Sequence, residues 1–458
     1  MMKPTERSEI SGMTAMPAMC GDSEGCPPLR AYLLNRFAEA NRLYQDWPAR
    51  LSVPCEIVDE YLPEWQPPAD AGILITHLHY RWEDLAALRR VYEEQQIPVL
   101  ILSDGILEYR NTWQNPTLPA GCLFQPVFGH KLACLGRAPA RWLEAWGNVG
   151  KCEVVGLPRL DSVQQRPLIP LGTAGKFRLL VATARTPAFD PPQRETVIAS
   201  LKALKSYLDK AAERDGRVWE VQWRLTEDLY AEVGLAPQPS AQSLSLIEQI
   251  DQVDAVVITP STGYLESLLR GRPTAILDYH NTPSYLSSAW TISADAHLDR
   301  VISELSEPPP AKMLYQSQLL NDQLECRTPA TPRLVALIEG LLAARRQSLL
   351  TGKPLAIPPR MLTDEQQGFA AVPEDFDLTS LFPEVEGFQT ADVQRLQIEL
   401  AAAIQALGDL PAELAERESM IVRLKQALEQ AKLRNREMHV RWIRLQKKFG
   451  ITPRFDVE

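Results

Sequence analysis

The 458-residue chain has few cysteines and none in Cys-x-x-Cys spacing: seven, at Cys20, Cys26, Cys55, Cys122, Cys134, Cys152 and Cys326. An odd count without close pairs indicates neither a zinc knuckle nor a complete disulfide framework, and predicts a reducing, cytoplasmic compartment. No stretch reaches the roughly 18 consecutive apolar residues of a membrane-crossing helix. The segment Glu6–Ser11 is polar where a signal peptide would carry its apolar core, so entry into the secretory route is not expected. A basic excess is also missing. With 48 Lys and Arg against 58 Asp and Glu, and a formal charge of -10, the chain spares few cations for a nucleic-acid surface, and no such partner is expected.

What is present is ordinary globular material, 45% hydrophobic and 23% charged, long enough for roughly two to four domains. Residues 1–28 mix Met, Ser, Gly and Pro without periodicity and read as a flexible tail. Between 29 and 168, short apolar runs alternate with helical patterns: Ala71–His77 and Ile97–Ser103 flank the helical stretch Trp82–Gln95, a β-α-β unit, and Cys152–Gly156 follows the helical Ala138–Gly147. Continuous apolar strands imply burial on both faces, hence parallel sheets covered by helices. A loop rich in Pro and Gly, Arg166–Gly175, precedes a second series over 169–345. Its strands are Phe177–Thr183, Val218–Trp223, Ala255–Ile258 and Thr274–Leu277; its helices are Thr196–Arg214, Ser243–Gln252 and Tyr264–Arg270. The fold class expected is α/β, two Rossmann-like doubly wound domains.

Prolines and acidic residues then multiply over 346–390, as in a linker, before a helical segment spanning 391–449. Leu396, Leu400, Ala403, Leu407, Leu410, Leu414, Arg417, Ile421, Leu424, Leu428, Ala431, Asn435, Met438, Trp442, Leu445 and Phe449 follow one another in alternating steps of four and three, the seam of a coiled coil. Gly408 and Pro411 interrupt it, so two helical segments with a break are expected, together with self-association or a helical partner. The basic end, Lys432–Phe449, interleaves apolar residues with Lys and Arg and would also suit an anionic membrane surface, although a solvated face around the seam is the plainer reading.

Chemistry concentrates where strands end. The strand Ala255–Ile258 runs into Thr259-Pro-Ser-Thr-Gly263 and then a helix. Amides at a helix amino end, the hydroxyls of Ser261 and Thr262, and the close approach allowed by Gly263 suit a phosphate, although such a turn is also a common plain cap. Asp104 and Gly105 end the strand Ile97–Ser103, the edge at which doubly wound sheets place ligands. There a carboxylate could act as general base, or merely close a turn.

The succession of strand, Ser-Thr turn, helix bearing Glu266, and Gly271-Arg-Pro273 resembles the donor half of GT-B glycosyltransferases and of bacterial CDP-glycerol transferases and surface-carbohydrate proteins. The turn Gly156-Leu-Pro-Arg-Leu-Asp161 is similar to their Gly-x-Pro-x-x-Asp signature, and Asp104-Gly105 is similar to the pair in CMP-sugar (Kdo and sialyl) transferases, where the aspartate is the base. The resemblance spans about Ile73 to Leu342 and implies a nucleotide-sugar donor on the second domain and a glycan or lipid-linked acceptor on the first. Asp104 would then be the catalytic base, with Arg185, Arg224, Ser261, Thr262, Gly263 and Glu266 around the donor. The His-Pro pair of the CMP-sugar enzymes is absent; the corresponding segment reads Trp223-Arg-Leu-Thr226. Each arginine could equally be a surface ion-pair residue.

Glu108, Asp278 and His280 are further candidates. His79 and His130 also fall near strand ends, where a structural role is the commoner one. No Asp-x-Asp of the kind that binds a metal in GT-A transferases is recognised in the chain, so metal-independent chemistry without a cofactor is expected. Two alternatives stand beside the transferase: a nucleotide-sugar epimerase, which needs more acids near its cleft, and a non-catalytic scaffold acting through the coiled coil.

Overall fold

A computed structural model describes residues 28–34, 46–58, 62–77, 79, 81–118, 124–164, 166, 176–214, 218–236, 244–363 and 410–448. It divides into two compact units, Met1–Phe376 and Asp377–Glu458. The first holds two parallel sheets. The strands of one are β1 (Arg30–Leu34), β2 (Cys55–Val58), β3 (Ala71–Thr76), β4 (Val99–Leu102), β5 (Lys131–Cys134) and β6 (Cys152–Val154). Those of the other are β7 (Lys176–Ala182), β8 (Val218–Arg224), β9 (Ala255–Ile258), β10 (Thr274–Leu277) and β11 (Trp290–Ile292). The helices used below are α1 (Trp82–Arg89), α2 (Tyr109–Trp113), α3 (Arg137–Ala145), α4 (Asp161–Gln164), α5 (Pro191–Arg214), α6 (Leu229–Val233), α7 (Leu246–Asp251), α8 (Thr262–Leu269), α9 (Leu298–Ser306), α10 (Pro310–Gln323), α11 (Ala330–Thr351) and α12 (Leu410–Lys448).

The orders are β2-β1-β3-β4-β5-β6 and β11-β10-β9-β7-β8. Counted from its own first strand, each sheet begins 2-1-3-4-5, so each is doubly wound and reverses direction between its first and third strands. Every residue of β3, β4, β9 and β10 is buried, which is why these strands read as unbroken apolar runs. On the second sheet, Val197, Leu201, Leu204 and Leu208 of α5 and Ile302 and Leu305 of α9 cover one face. Tyr264, Leu265 and Leu268 of α8, with Ile250 and Leu320, cover the other. This is the GT-B-like arrangement of two Rossmann-like lobes. The expected helix Trp82–Gln95 is helical over its length but widens into a π-turn at Arg90–Glu94.

The last helix of the pair of lobes belongs to the other side. Leu334, Leu337, Ile338, Leu341 and Leu342 of α11 pack on Ala31, Leu33, Ile73 and Ile75 of the first sheet. Burying each such side chain contributes about 1.5–3 kcal/mol, so the chain's return from the second lobe anchors the two together. Gly72 belongs to this contact, since a Cβ there would stand 2.8 Å from Leu342 Cδ2.

No described helix is long and apolar enough to cross a membrane. In the second unit, α12 starts at Leu410 with Pro411 in its first turn, where proline costs no hydrogen bond. The expected helix amino-terminal to Gly408 lies outside the described residues, as do the 1–27 tail and most of the 346–390 segment.

Candidate functional site at the facing strand ends

At the reversal point of the second sheet, between β7 and β9, the loops after those two strands lie side by side. Thr259 Oγ1 accepts the Ala184 N–H at 2.7 Å, holding the exposed Arg185 next to the Pro260-Ser261-Thr262 turn. Helix α8 starts here. Its N-cap, Ser261, is extended and makes no side-chain cap, so the amides of the first turn are not closed by the residue best placed to close them. A helix amino end carries about half a unit of positive charge, which favours an anion. Gly263 is packed so tightly that a Cβ would come within 2.8 Å of Leu246 Cδ2 and 2.9 Å of Ile258 Cδ1. Its smallness therefore serves to seat α8 on β9.

The carboxyl ends of the two sheets meet at this turn. The Ile106 N–H donates to Thr262 Oγ1 at 3.3 Å, and a Cβ on Gly105 would lie 2.6 Å from the same oxygen. The Thr262 hydroxyl is thus spent on the Asp104-Gly105-Ile106 loop. Asp104 itself is exposed, at the rim of a pocket formed by Leu102, Ser103, Ala133, Gly156, Pro158 and Arg159 among others.

The turn Gly156–Asp161 is a junction between the lobes. Gly156 has φ 92° and lies under the Glu325 carbonyl, 2.5 Å from where a Cβ would be; only glycine meets both demands. Asp161 accepts the N–H groups of Ala330 at 2.7 Å and Thr331 at 2.9 Å, capping α11. Arg159 donates to Glu266 of α8 at 2.6 Å. The carboxylate expected near the donor is therefore buried and engaged by an arginine that sequence reasoning passed over within its own motif.

A second polar cluster forms around Arg110, another residue not singled out from the sequence. Its Nε donates to Glu108 Oε1 at 2.7 Å, while Glu108 Oε2 accepts the Asn111 N–H at 2.5 Å and caps α2. Its Nη1 lies 3.0 Å from each ring nitrogen of His280, in the loop after β10. His280 Nδ1 is 2.7 Å from Asp278 Oδ1, and Nε2 is 3.0 Å from the Gln193 carbonyl. Burial pushes the Asp278 carboxyl up, but the His280 hydrogen bond and the Arg110 charge outweigh it and hold the group below its ordinary value. Glu108, Asp278 and His280 are thus brought together, across both lobes, by a buried guanidinium.

Other candidates fall elsewhere. Arg224 ends β8, an edge strand on the far side of β7 from β9, and its Nη1 donates to the Leu244 carbonyl at 2.9 Å and Gln249 Oε1 at 3.0 Å, bracing the start of α7. His79 Nδ1 lies 3.0 Å from the His77 carbonyl; burial pushes its pKa down to about 4, against the pull of the Asp104 charge. His130 Nδ1 accepts the Val99 N–H at 3.0 Å, and burial with the Lys151 charge likewise lowers it to about 4. The chain's Asp375-Phe376-Asp377 does have Asp-x-Asp spacing, but it falls in the acidic segment outside the described residues.

No protein-family model and no curated protein matches this chain. Among solved structures, S. aureus MnaA with UDP is similar over 72% of this chain and 99% of its own, at 11% identity and TM-score 0.46. UDP-GlcNAc 2-epimerase from Neisseria meningitidis bound to UDP-GlcNAc is similar over 71% and 100%, at 12% and 0.42. The wall teichoic acid polymerase TagF is similar over 68% and 88%, at 12% and 0.42. Likeness at this level leaves the functional reading to the residues of the site.

Proposed function

We propose that the chain transfers a sugar from a nucleotide-activated donor to a hydroxyl of a surface-polysaccharide or lipid-linked acceptor. The observation that carries this reading is the meeting of the Asp104 loop with the amino end of α8, through Ile106 and Thr262. A general base and an anion site are then neighbours at facing strand ends, as group transfer requires. The Asp104 carboxylate takes the acceptor proton as the acceptor oxygen bonds to the anomeric carbon. The bond from that carbon to the donor phosphate breaks, and the negative charge released is held by the first-turn amides of α8, the Ser261 hydroxyl and Arg185. Gly263 and Thr262 fix the turn. Arg224 and Glu266 act through position, by bracing α7 and by tying α8 to Arg159. The donor is activated without a divalent cation or other cofactor.

The test is a thermal-shift series with CMP, CDP, UDP, GDP and dTDP, each with and without EDTA, on the full chain and on Ser261→Ala and Arg185→Ala. Binding must raise stability by mass action. One nucleotide should stabilise the protein, with and without chelator, and the variants should lose most of that shift. No shift from any nucleotide at millimolar concentration would sink the proposal.

The Arg110 cluster favours one alternative. An epimerase needs acids and bases beside the sugar, and the pairing of Asp278 with His280 supplies such a group. Incubation with the stabilising nucleotide's sugars separates the two: a new nucleotide sugar formed without acceptor marks epimerisation, whereas acceptor-dependent nucleotide release marks transfer.

A further inference from the structure

Helix α12 presents an apolar stripe to solvent. Ile421, Leu424, Leu428 and Met438 are 51%, 61%, 56% and 63% exposed, all at seam positions, and every residue described between 416 and 438 is exposed. Two polar residues interrupt the stripe, Arg417 and Asn435. Val422, Leu433 and Val440 fall singly on the far side.

We propose that α12 pairs with α12 of a second copy of this chain, antiparallel, in the register that sets Arg417 against Asn435. The polar interruptions select this arrangement. In a parallel, in-register pair, Arg417 would meet Arg417, putting two cations into one seam layer, and Ala431 would meet Ala431, leaving that layer underfilled. Reversing one helix about the midpoint of the stripe removes both faults. Arg417 meets the Asn435 amide oxygen of the second copy, large Ile421 meets small Ala431, and Leu424 meets Leu428, each layer occurring twice by the two-fold symmetry.

Charge on the flanks agrees. Glu418 and Lys432 follow the seam positions 417 and 431, and in the antiparallel register Glu418 of one copy flanks Lys432 of the other, twice. In the parallel register these two residues never meet. Lys425 faces Lys425 at the centre of the antiparallel pair, a like-charged contact on a solvated flank. Lys432 is within reach of a second copy while holding Glu429 at 2.8 Å on its own helix.

The full chain should sediment as a dimer. Glu418→Lys and Lys432→Glu each turn two attractions into repulsions and should weaken the dimer about tenfold or more. An equimolar mixture of the two variants should recover it, because each copy then supplies the charge the other lacks. Mere weakening of the helix would not be repaired by mixing. Asn435→Asp should tighten the dimer several-fold by facing Arg417 with a carboxylate. A monomeric wild type at about 100 μM, no recovery on mixing, or a dimer loosened by Asn435→Asp as two aspartates meet in a parallel pair would each overturn the proposal.

Discussion

The Arg110 guanidinium, carried by one lobe, stands 3.0 Å from both ring nitrogens of His280, carried by the other. It also bonds Glu108 and lies near enough to Asp278 to depress its carboxyl. One buried cation therefore bonds Glu108 of the first lobe and His280 of the second, and is one of several ties between them.

Arg110→Leu should cost about 3–5 kcal/mol, since it leaves half-buried Glu108 and Asp278 without their cation. Its Tm should fall. The Asp278 carboxyl, losing one of the influences that lower it, should titrate at higher pH, as carboxylate-resolved NMR would report. An unchanged Tm would show that the cluster is idle.

Asp104→Asn keeps shape and exposure while removing the proposed base. Transfer should fall by about 10²–10⁴-fold with Tm and nucleotide binding unchanged. Single-turnover measurement with saturating donor isolates that step, and full activity in the variant would assign the proton to another group.

Acid should unfold the first unit through His79 and His130. Each titrates near 4 in the fold against an ordinary 6.5, so the unfolded chain takes up protons first as pH drops. Stability is then fully present above about pH 6.5 and is lost towards pH 4, by about 1.4 kcal/mol per histidine per pH unit. Urea titrations at a series of pH values should show this slope, and His130→Gln should flatten it.

Lys131 and Glu153 form an ion pair at 2.7 Å, both completely buried, and Glu153 also accepts the N–H groups of Met361 and Leu362. Lys131→Met should cost about 3–5 kcal/mol by stranding the carboxylate. Adding Glu153→Leu should recover part of that loss, but not all, because two backbone donors then lack an acceptor. A double variant no better than the single would mean that packing, and not charge, sets the cost.

The same pair explains a strand that pattern reading passed over. β5, Lys131–Cys134, opens with a lysine, which from sequence reads as surface. β1, β2 and β11 were also missed: they are three to five residues long, and β2 and β11 are edges with residues open to solvent. Among the strands read correctly, β3, β4, β9 and β10 are central and continuously apolar, where burial on both faces leaves no polar position to blur the signal, whereas β6 and β8 are edges recognised from their short runs of β-branched and aromatic residues.

At the candidate site, sequence reasoning pointed to the two facing turns but not to their wiring. Asp104, Ser261, Thr262 and Gly263 stand where strand-end logic puts ligands. Arg159 and Arg110 were passed over because a buried arginine looks like any other until its partners, 107 and 170 residues away, are known. Arg224, expected as a phosphate contact, ends the edge strand β8 and bonds the Leu244 carbonyl and Gln249.

Local pattern alone determined the two α/β series, the turn at the amino end of α8 and the heptad seam, because each is written in periodicity over neighbouring residues. Tertiary structure alone decided that α11 returns to the first sheet, that Thr262 meets the Asp104 loop, and which charges are buried. Those outcomes rest on contacts between distant segments, whose energies exist only once the chain has closed on itself.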